Sequence, residues 1–468
     1  MLKSFEWLSF FETVFLEMST FSLVFIAVLG VALLLFLVIF LRLQAFIALL
    51  ISSLVVAILG GIPASEIADT IQQGMGSTLG YIAIVIGVGA MFGEILQVSG
   101  GAEQIANTLV KRFGEDKAQW ALAATGIIVA IPVFFDVALI LFIPLVYSLA
   151  QRTGKSLLYY GIPLVAGIAV AHSFIPPTPG PVAVASLLGA DLGWVILFGL
   201  IAGIPATLIG GIFFGKYISK QIHLDVPTHI LDEHNPKADT AEKKRIPNFG
   251  LVVAIIAVPL VLILLNTFST VLLPEDSTIR GWISFIGHPF TALIVAALLS
   301  FYFLGTRLGY SMREIQSFAT RSLEPVGLII LVTGAGGVFG KVLVATGIGE
   351  ALANLMAASN LPIILLAFLI ATVVRVSQGS ATVSMVTAAG LIAPAIEIGN
   401  YSAPLVGALV IAIASGATVL SHVNDSGFWL VGRFFGMDEA ATFKSWTVME
   451  TILGAVGFGV VFVASFFL

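Results

Sequence analysis

At 468 residues, with 59% hydrophobic side chains, 10% charged ones and a mean hydropathy of +1.09, the chain is too apolar for a soluble globule of its length. It contains no cysteine, which excludes disulfides, thiolate metal sites and cysteine nucleophiles. The net charge of −5 says little about partners, and there is no basic stretch interleaved with aromatics of the kind that binds nucleic acid.

Runs such as 21–41, 251–271 and 452–468 are long enough to cross about 30 Å of hydrocarbon. In chain order the predicted spans are 20–41, 43–60, 79–98, 157–175, 193–215, 249–273, 282–304, 325–345, 402–421 and 446–467. The first lacks a basic leader and a cleavage site, so it reads as a retained span and not a signal peptide. Segments 64–76 and 311–322 are expected to be helices lying at the membrane interface, and 182–190 a short helix after a broken span. Two further apolar segments, 118–150 and 361–398, are interrupted near their middles by Pro132-Val-Phe-Phe-Asp136 and Arg375-Val-Ser-Gln-Gly-Ser380. Each half is too short to span comfortably, which suggests re-entrant hairpins.

With both segments taken as hairpins, 17 of the 21 Lys and Arg residues fall on one side. Only Lys3 and Arg280 fall on the other, while Lys341 and Arg375 lie within membrane segments. The basic side is therefore cytoplasmic and both termini lie outside. Reading either segment as two full spans would leave this charge placement unchanged. The long polar loop 220–248 is cytoplasmic and carries His223, His229 and His234, whose spacing fits no common zinc pattern. It reads as a solvated linker between a first unit, 1–219, and a second, 249–468.

The second unit repeats the first at a constant offset. Gly87-Val-Gly-Ala-Met-Phe-Gly-Glu-Ile-Leu-Gln-Val-Ser-Gly100 aligns without gaps on Gly334-Ala-Gly-Gly-Val-Phe-Gly-Lys-Val-Leu-Val-Ala-Thr-Gly347, with six of fourteen pairs identical. At the same offset Glu103 falls on Glu350, Gly189 on Gly436 and Asp191 on Asp438. Each unit makes five crossings when its hairpin counts as none, so the second copy is inserted upside down. The expected fold is an all-α polytopic membrane protein of two inverted-topology repeats, each with a re-entrant hairpin and a broken helix. Such repeats provide two related conformations open to opposite sides, the geometry of alternating access in secondary transporters.

Four polar interruptions fall where hydrocarbon is expected: Phe134-Phe-Asp136; His172-Ser-Phe-Ile-Pro-Pro-Thr-Pro-Gly-Pro181; Arg375-Val-Ser-Gln-Gly-Ser-Ala-Thr382; and His422-Val-Asn-Asp-Ser-Gly427. Unwound backbone at that depth is tolerated only when buried in protein or lining a wet cavity, so the four breaks should meet near the midplane. Arg375 stays charged and presents a planar fork that matches a carboxylate with two parallel hydrogen bonds. An internal ion pair with Asp136 or Asp425 is the alternative role. Ser377, Gln378, Ser380, Thr382, Thr178 and Asn424 offer hydroxyl and amide groups suited to a polyol, or to capping the helix ends. Asp136, Asp425, His172 and His422 are the candidate proton carriers, because burial and nearby charge act on carboxyl and imidazole groups. Glu94 and Lys341 are repeat equivalents, but inversion sets them at opposite faces, so snorkelling or a contact between domains is expected instead of a mutual pair. The paired Gly-x-x-x-Gly stretches, Gly89/Gly93 and Gly336/Gly340, permit close helix packing and match no nucleotide-binding pattern. No cofactor or metal is implied.

The four polar stretches, the last extended to Phe428-Trp429, resemble those of the gluconate permease family, and the resemblance runs from about residue 20 to the C-terminus. It implies a bacterial inner-membrane proton symporter for gluconate or a related sugar acid, within the ion-transporter superfamily of homodimeric elevator-type transporters. D-serine or another small hydroxy acid is the alternative substrate implied. In that setting Arg375 would hold the substrate carboxylate, hairpin hydroxyls and Asn424 its hydroxyls, and Asp136 or Asp425 the proton. The moving domain would comprise the hairpins and broken helices, with 43–60 and 282–304 in a lipid-bounded dimeric scaffold. A membrane sensor for sugar acids would bind without flux, and a membrane enzyme would turn substrate over. No sizeable signalling domain and no nucleophile motif supports either.

Overall fold

The computed structural model describes residues 19–227, 246–351, 361–423 and 425–468, and these form an all-helical bundle. Among them, ten helices are long and apolar enough to cross a membrane by length and composition. The predicted spans reappear within a few residues at most positions, for example Thr20–Ile39, Phe249–Leu272 and Glu324–Ala345. Such agreement is expected, because an unbroken apolar run in hydrocarbon has few alternatives to helix.

Several local expectations change. Segment 64–76 is not a separate interfacial helix: it continues into the next span as one helix, Ala64–Val98, of 35 residues. Segment 311–322 does form a separate short helix, Met312–Arg321, closed by a capping box between Ser311 and Glu314. The region predicted as span 282–304 divides into Thr278–Ile286 and a helix beginning at Pro289, with Pro at the first helical turn.

The two interrupted segments are helix–break–helix units. The first arms, Ala118–Ala130 and Ile363–Gln378, have 13 and 16 residues. The second arms, Phe135–Thr153 and Ala381–Ile398, have 19 and 18 and are of spanning length. Arm length thus argues for a re-entrant reading in the first arms only. The chain turns between Ile363–Gln378 and Ala381–Ile398 at Gly379, whose φ of +87° is a left-handed conformation that a side chain disfavours.

Packing is close wherever glycines meet backbone. Ala118–Ala130 lies against Leu157–Phe174 so tightly that a Cβ on Gly126 would stand 2.5 Å from the carbonyl oxygen of Leu164. The duplicated glycine stripes press on the breaks. A Cβ on Gly93 would meet the carbonyl oxygen of Pro132 at 1.9 Å, and one on Gly336 would meet Val386 at 2.1 Å. Helices Ala64–Val98 and Glu324–Ala345 pack directly against each other and bring these stripes alongside the interrupted segments.

Glycine substitutions should separate packing from propensity. Gly126→Ala places its Cβ against backbone that cannot yield cheaply, and we predict a destabilisation of about 1–3 kcal/mol. Gly76→Ala, on a helix face with nothing within 4 Å of the added Cβ, should be neutral or stabilising by up to about 1 kcal/mol. Thermal unfolding of the two variants in detergent compares them directly. Equal melting temperatures would refute the close-packing account.

Candidate functional site

All four polar breaks border one cavity of about 600 Å³. Asp136 enters it from the first turn of Phe135–Thr153, and His172 from the last turn of Leu157–Phe174. Arg375 and Gln378 come from the end of Ile363–Gln378, Ser380 and Thr382 from the start of the following helix, and Asp425 from the cap of Ser426–Phe435. The sequence therefore named seven residues that fold onto one cavity from five helices distant in the chain.

At its centre is a buried ion pair. Arg375 is 2% exposed and Asp425 14%, and Nη2 of the arginine donates to Oδ2 of the aspartate at 2.5 Å. Ser421 Oγ donates to the same carboxylate oxygen, while Oδ1 accepts from the backbone N–H of Gly427 at 3.0 Å, capping the helix. Trp446 Nε1 donates to Ser421 Oγ at 2.7 Å, and Thr447 Oγ1 donates to the Ser421 carbonyl at 2.5 Å. Asp425 is thus held by three donors, one of which, Ser421, is itself fixed by a neighbouring helix. Such pairing is what makes a charge tolerable in a low-dielectric interior. Arg375 is only half satisfied: its Nε and Nη1 atoms are buried without a partner.

The backbone reinforces the arginine. Helices Phe135–Thr153, Ala381–Ile398 and Ser426–Phe435 each place their N-terminal residues on the cavity wall. Helix N-termini carry partial positive charge and unpaired N–H groups, so three of them beside a guanidinium favour an anion. Between them lie the hydroxyls of Thr382 and Ser426 and the amide of Gln378, which donates to Ser384 Oγ at 3.3 Å. A compact anion bearing hydroxyl groups matches this lining.

Not every predicted residue reaches the cavity. Thr178 Oγ1 donates to the Ile175 carbonyl at 2.7 Å and borders a separate crevice beside Pro132 and Pro177. Ser377 Oγ donates to the Val373 carbonyl at 2.7 Å, within its own helix. His422 Nε2 lies 3.0 Å from the Val376 carbonyl, so it ties the fourth break to the end of the arginine-bearing helix. Asn424, His229 and His234 lie outside the described residues. Glu94 pairs with Arg321 at 2.6 Å and not with Lys341, linking Ala64–Val98 to the short helix Met312–Arg321.

Sequence reasoning missed Glu450, Trp446 and Ser426 on the cavity wall. Glu450 sits inside an otherwise apolar span and is 4% exposed. A lone carboxylate in a span is itself a functional signal, and no helix-breaking residue drew attention to it. A π-helical turn, Phe443–Thr447, precedes it and sets the register that directs Trp446 inward.

An apolar multi-pass bundle with interrupted helices around a buried charged cavity belongs to the class of membrane transport proteins. The model of the GntP family permease matches residues 22–467, and the chain belongs to that family. It is 46% identical over 440 residues to the low-affinity gluconate transporter of Escherichia coli strain K12, covering 94% of this chain and 97% of that protein. It is 39% identical over 419 residues to the gluconate permease of Pseudomonas aeruginosa, covering 89% and 91%. In fold it is similar to the YdaH transporter of Alcanivorax borkumensis, with a TM-score of 0.61 at 13% identity over 87% of this chain and 90% of that one.

Breaking the buried pair should be costly. Asp425→Asn leaves the guanidinium without its counter-charge, and we predict a loss of about 3–5 kcal/mol. Glu94→Gln, whose partner Arg321 is 63% exposed, should cost under about 1 kcal/mol. Denaturation midpoints of the two variants in detergent provide the check, and a similar loss in both would contradict a buried, structural Arg375–Asp425 pair.

Proposed function

We propose that the chain takes up gluconate or a related sugar acid across the bacterial inner membrane, coupled to protons. The observation that carries this reading is the half-satisfied Arg375 in a cavity bordered by three helix N-termini. A substrate carboxylate would supply an acceptor to these open donors, and Thr382, Ser426 and Gln378 suit the hydroxyls of an aldonate. Support for the substrate class comes from the names of the Escherichia coli and Pseudomonas aeruginosa relatives.

Proton coupling is favoured by the cavity's charge balance. Asp136, Asp425 and Glu450 face one another around a single guanidinium. Fully ionised, this set would repel an incoming carboxylate; a proton on one member removes that repulsion. Uptake of an anion is thereby linked to uptake of a proton. Asp136 and Asp425 are the candidate carriers proposed from the sequence; Asp425 is already engaged by three donors, and the buried Glu450 joins them as a third candidate.

The transport cycle proposed is alternating access between two inverted repeats, 1–219 and 249–468, joined by the cytoplasmic linker 220–248, with both termini outside. The interrupted segments and broken helices would move as one body in an elevator motion against a scaffold that includes 43–60 and 282–304, in a lipid-embedded homodimer. The constant sequence offset and the matching helix–break–helix units support that reading.

The test is gluconate uptake by purified protein in proteoliposomes under an imposed pH gradient. Accumulation that collapses with a protonophore is expected; counterflow indifferent to the gradient would remove the symport claim. Arg375→Lys should weaken gluconate binding about tenfold or more, equivalent to about 1.4 kcal/mol, because an ammonium cannot form the two parallel bonds. Unchanged binding in that variant would exclude the bidentate arrangement.

A further inference from the structure

Two unsatisfied groups share the wall of the cavity. One is Arg375, whose Nε and Nη1 atoms are buried without partners. The other is Glu450, 4% exposed, whose Oε1 is also buried without a partner. The two side chains come from different helices, Ile363–Gln378 and Val448–Ala464, which pack on one another. Asp425 lines the same cavity.

Among the described residues little else compensates Glu450: Lys444, on the π-helical segment Phe443–Thr447 packed against its helix, is exposed. Asp425 already accepts from Nη2 of the guanidinium. Asp136 and His172 line the cavity from Phe135–Thr153 and Leu157–Phe174, and the first of these is exposed to it. Helices Leu192–Ala206 and Ala403–Gly416 and the π-helical segment Thr207–Phe213, also packed against Val448–Ala464, carry no ionisable side chain. An isolated carboxylate so deeply buried is not tolerated as an ion, so it carries a proton whenever it is unpaired. When it loses that proton it needs a cation, and the one on the same cavity wall is Arg375.

We infer that Glu450 carries the coupling proton, and that it does so by competing with the substrate carboxylate for the unpaired donors of Arg375. This rests on the proton-symport reading above. Protonated Glu450 leaves Nε and Nη1 open to the sugar acid. Ionised Glu450 takes up these donors, adds a negative charge beside the guanidinium and excludes the substrate. The proton enters from the outer water, resides on the Glu450 carboxyl while substrate is bound, and passes to cytoplasmic water on release. Asp425 then keeps a fixed role, bonded to Nη2 throughout. Asp136 is exposed to the cavity and is a wall residue in this scheme.

The experiment compares the full-length wild type, Glu450→Gln, Asp136→Asn and Glu94→Gln in proteoliposomes with labelled gluconate. Glutamine imitates the protonated acid, so Glu450→Gln should bind gluconate with an affinity nearly independent of pH. It should support gluconate counterflow but lose most of the accumulation driven by an imposed pH gradient, at least tenfold. Glu94→Gln, whose carboxylate lies outside the cavity, is the control that should retain that accumulation, and Asp136→Asn tests the other open cavity carboxylate as the carrier. Gradient-driven accumulation by Glu450→Gln with a wild-type pH profile would overturn the assignment, as would its loss in Asp136→Asn but not in Glu450→Gln. A wild type that ignores the pH gradient defeats the symport reading itself, which separates the two failures. Should Glu450→Gln bind no gluconate, Glu450→Asp decides: coupled uptake with a displaced pH profile supports the role, and coupled uptake with an unchanged profile refutes it.

Discussion

The buried pair of Arg375 and Asp425 sets the terms for everything around it. A guanidinium cannot shed its charge, so a fold that places one at 2% exposure in an apolar bundle must surround it with acceptors or accept a large penalty. The chain meets this demand from three directions. Asp425 caps a helix and accepts from the arginine; Ser421 and Gly427 hold the aspartate; Trp446 and Thr447 hold Ser421. The bonds from Arg375, Trp446 and Thr447 join the fourth interruption to other helices. The same interruptions that expose backbone at membrane depth are therefore tied together by the charges they carry, and unwound chain remains buried in protein as hydrocarbon surroundings require.

This arrangement is nevertheless incomplete on one side. Stability alone would be served as well by an apolar residue in place of Arg375, or by further acceptors for its open donors. The unpartnered Nε and Nη1 atoms are what an anion binder has to leave open, and the adjacent helix N-termini raise the local potential in the same sense. Local incompleteness in an otherwise satisfied network is thus better explained by ligand recognition than by packing. The packing elsewhere is close: glycines at 126, 93 and 336 bring backbone or side chain within a distance no added Cβ could share.

Much of this was legible in the sequence, for reasons that differ by residue. The spans were readable because apolar runs in a membrane have one stable backbone form. Asp136, His172, Arg375, Gln378, Ser380, Thr382 and Asp425 were readable because polar groups beside Pro or Gly inside apolar runs conflict with local surroundings, and such conflicts mark sites. Thr178 and Ser377 carried the same signal but spend their hydroxyls on carbonyls one turn back, a choice that composition cannot reveal. The helix continuing from 64 to 98 was missed because its polar first half imitates an interfacial segment, while helix continuity depends on packing against Glu324–Ala345. The pairing of Glu94 with Arg321 was equally hidden, since it joins residues 227 apart in the chain.

Glu450 shows where reading by interruption fails. It breaks no helix and stands beside no proline or glycine, so in sequence it looks like a stray charge near the end of a span. Only the fold reveals that its helix packs along Ile363–Gln378 and that both side chains open onto one cavity. The preceding π-helical turn matters here, because one additional residue per turn shifts the face that the following residues present. A regular α-helix through 443–447 would rotate Trp446 and Glu450 relative to each other and to Ser421. The Trp446–Ser421–Asp425 chain and the position of Glu450 are thus set by one local irregularity in the backbone. Arg375 therefore shares its cavity with two carboxylates of unlike character, one held by three donors and one with a buried, unpartnered oxygen. In the scheme inferred above, that inequality lets a single proton decide which partner the open donors of the arginine take.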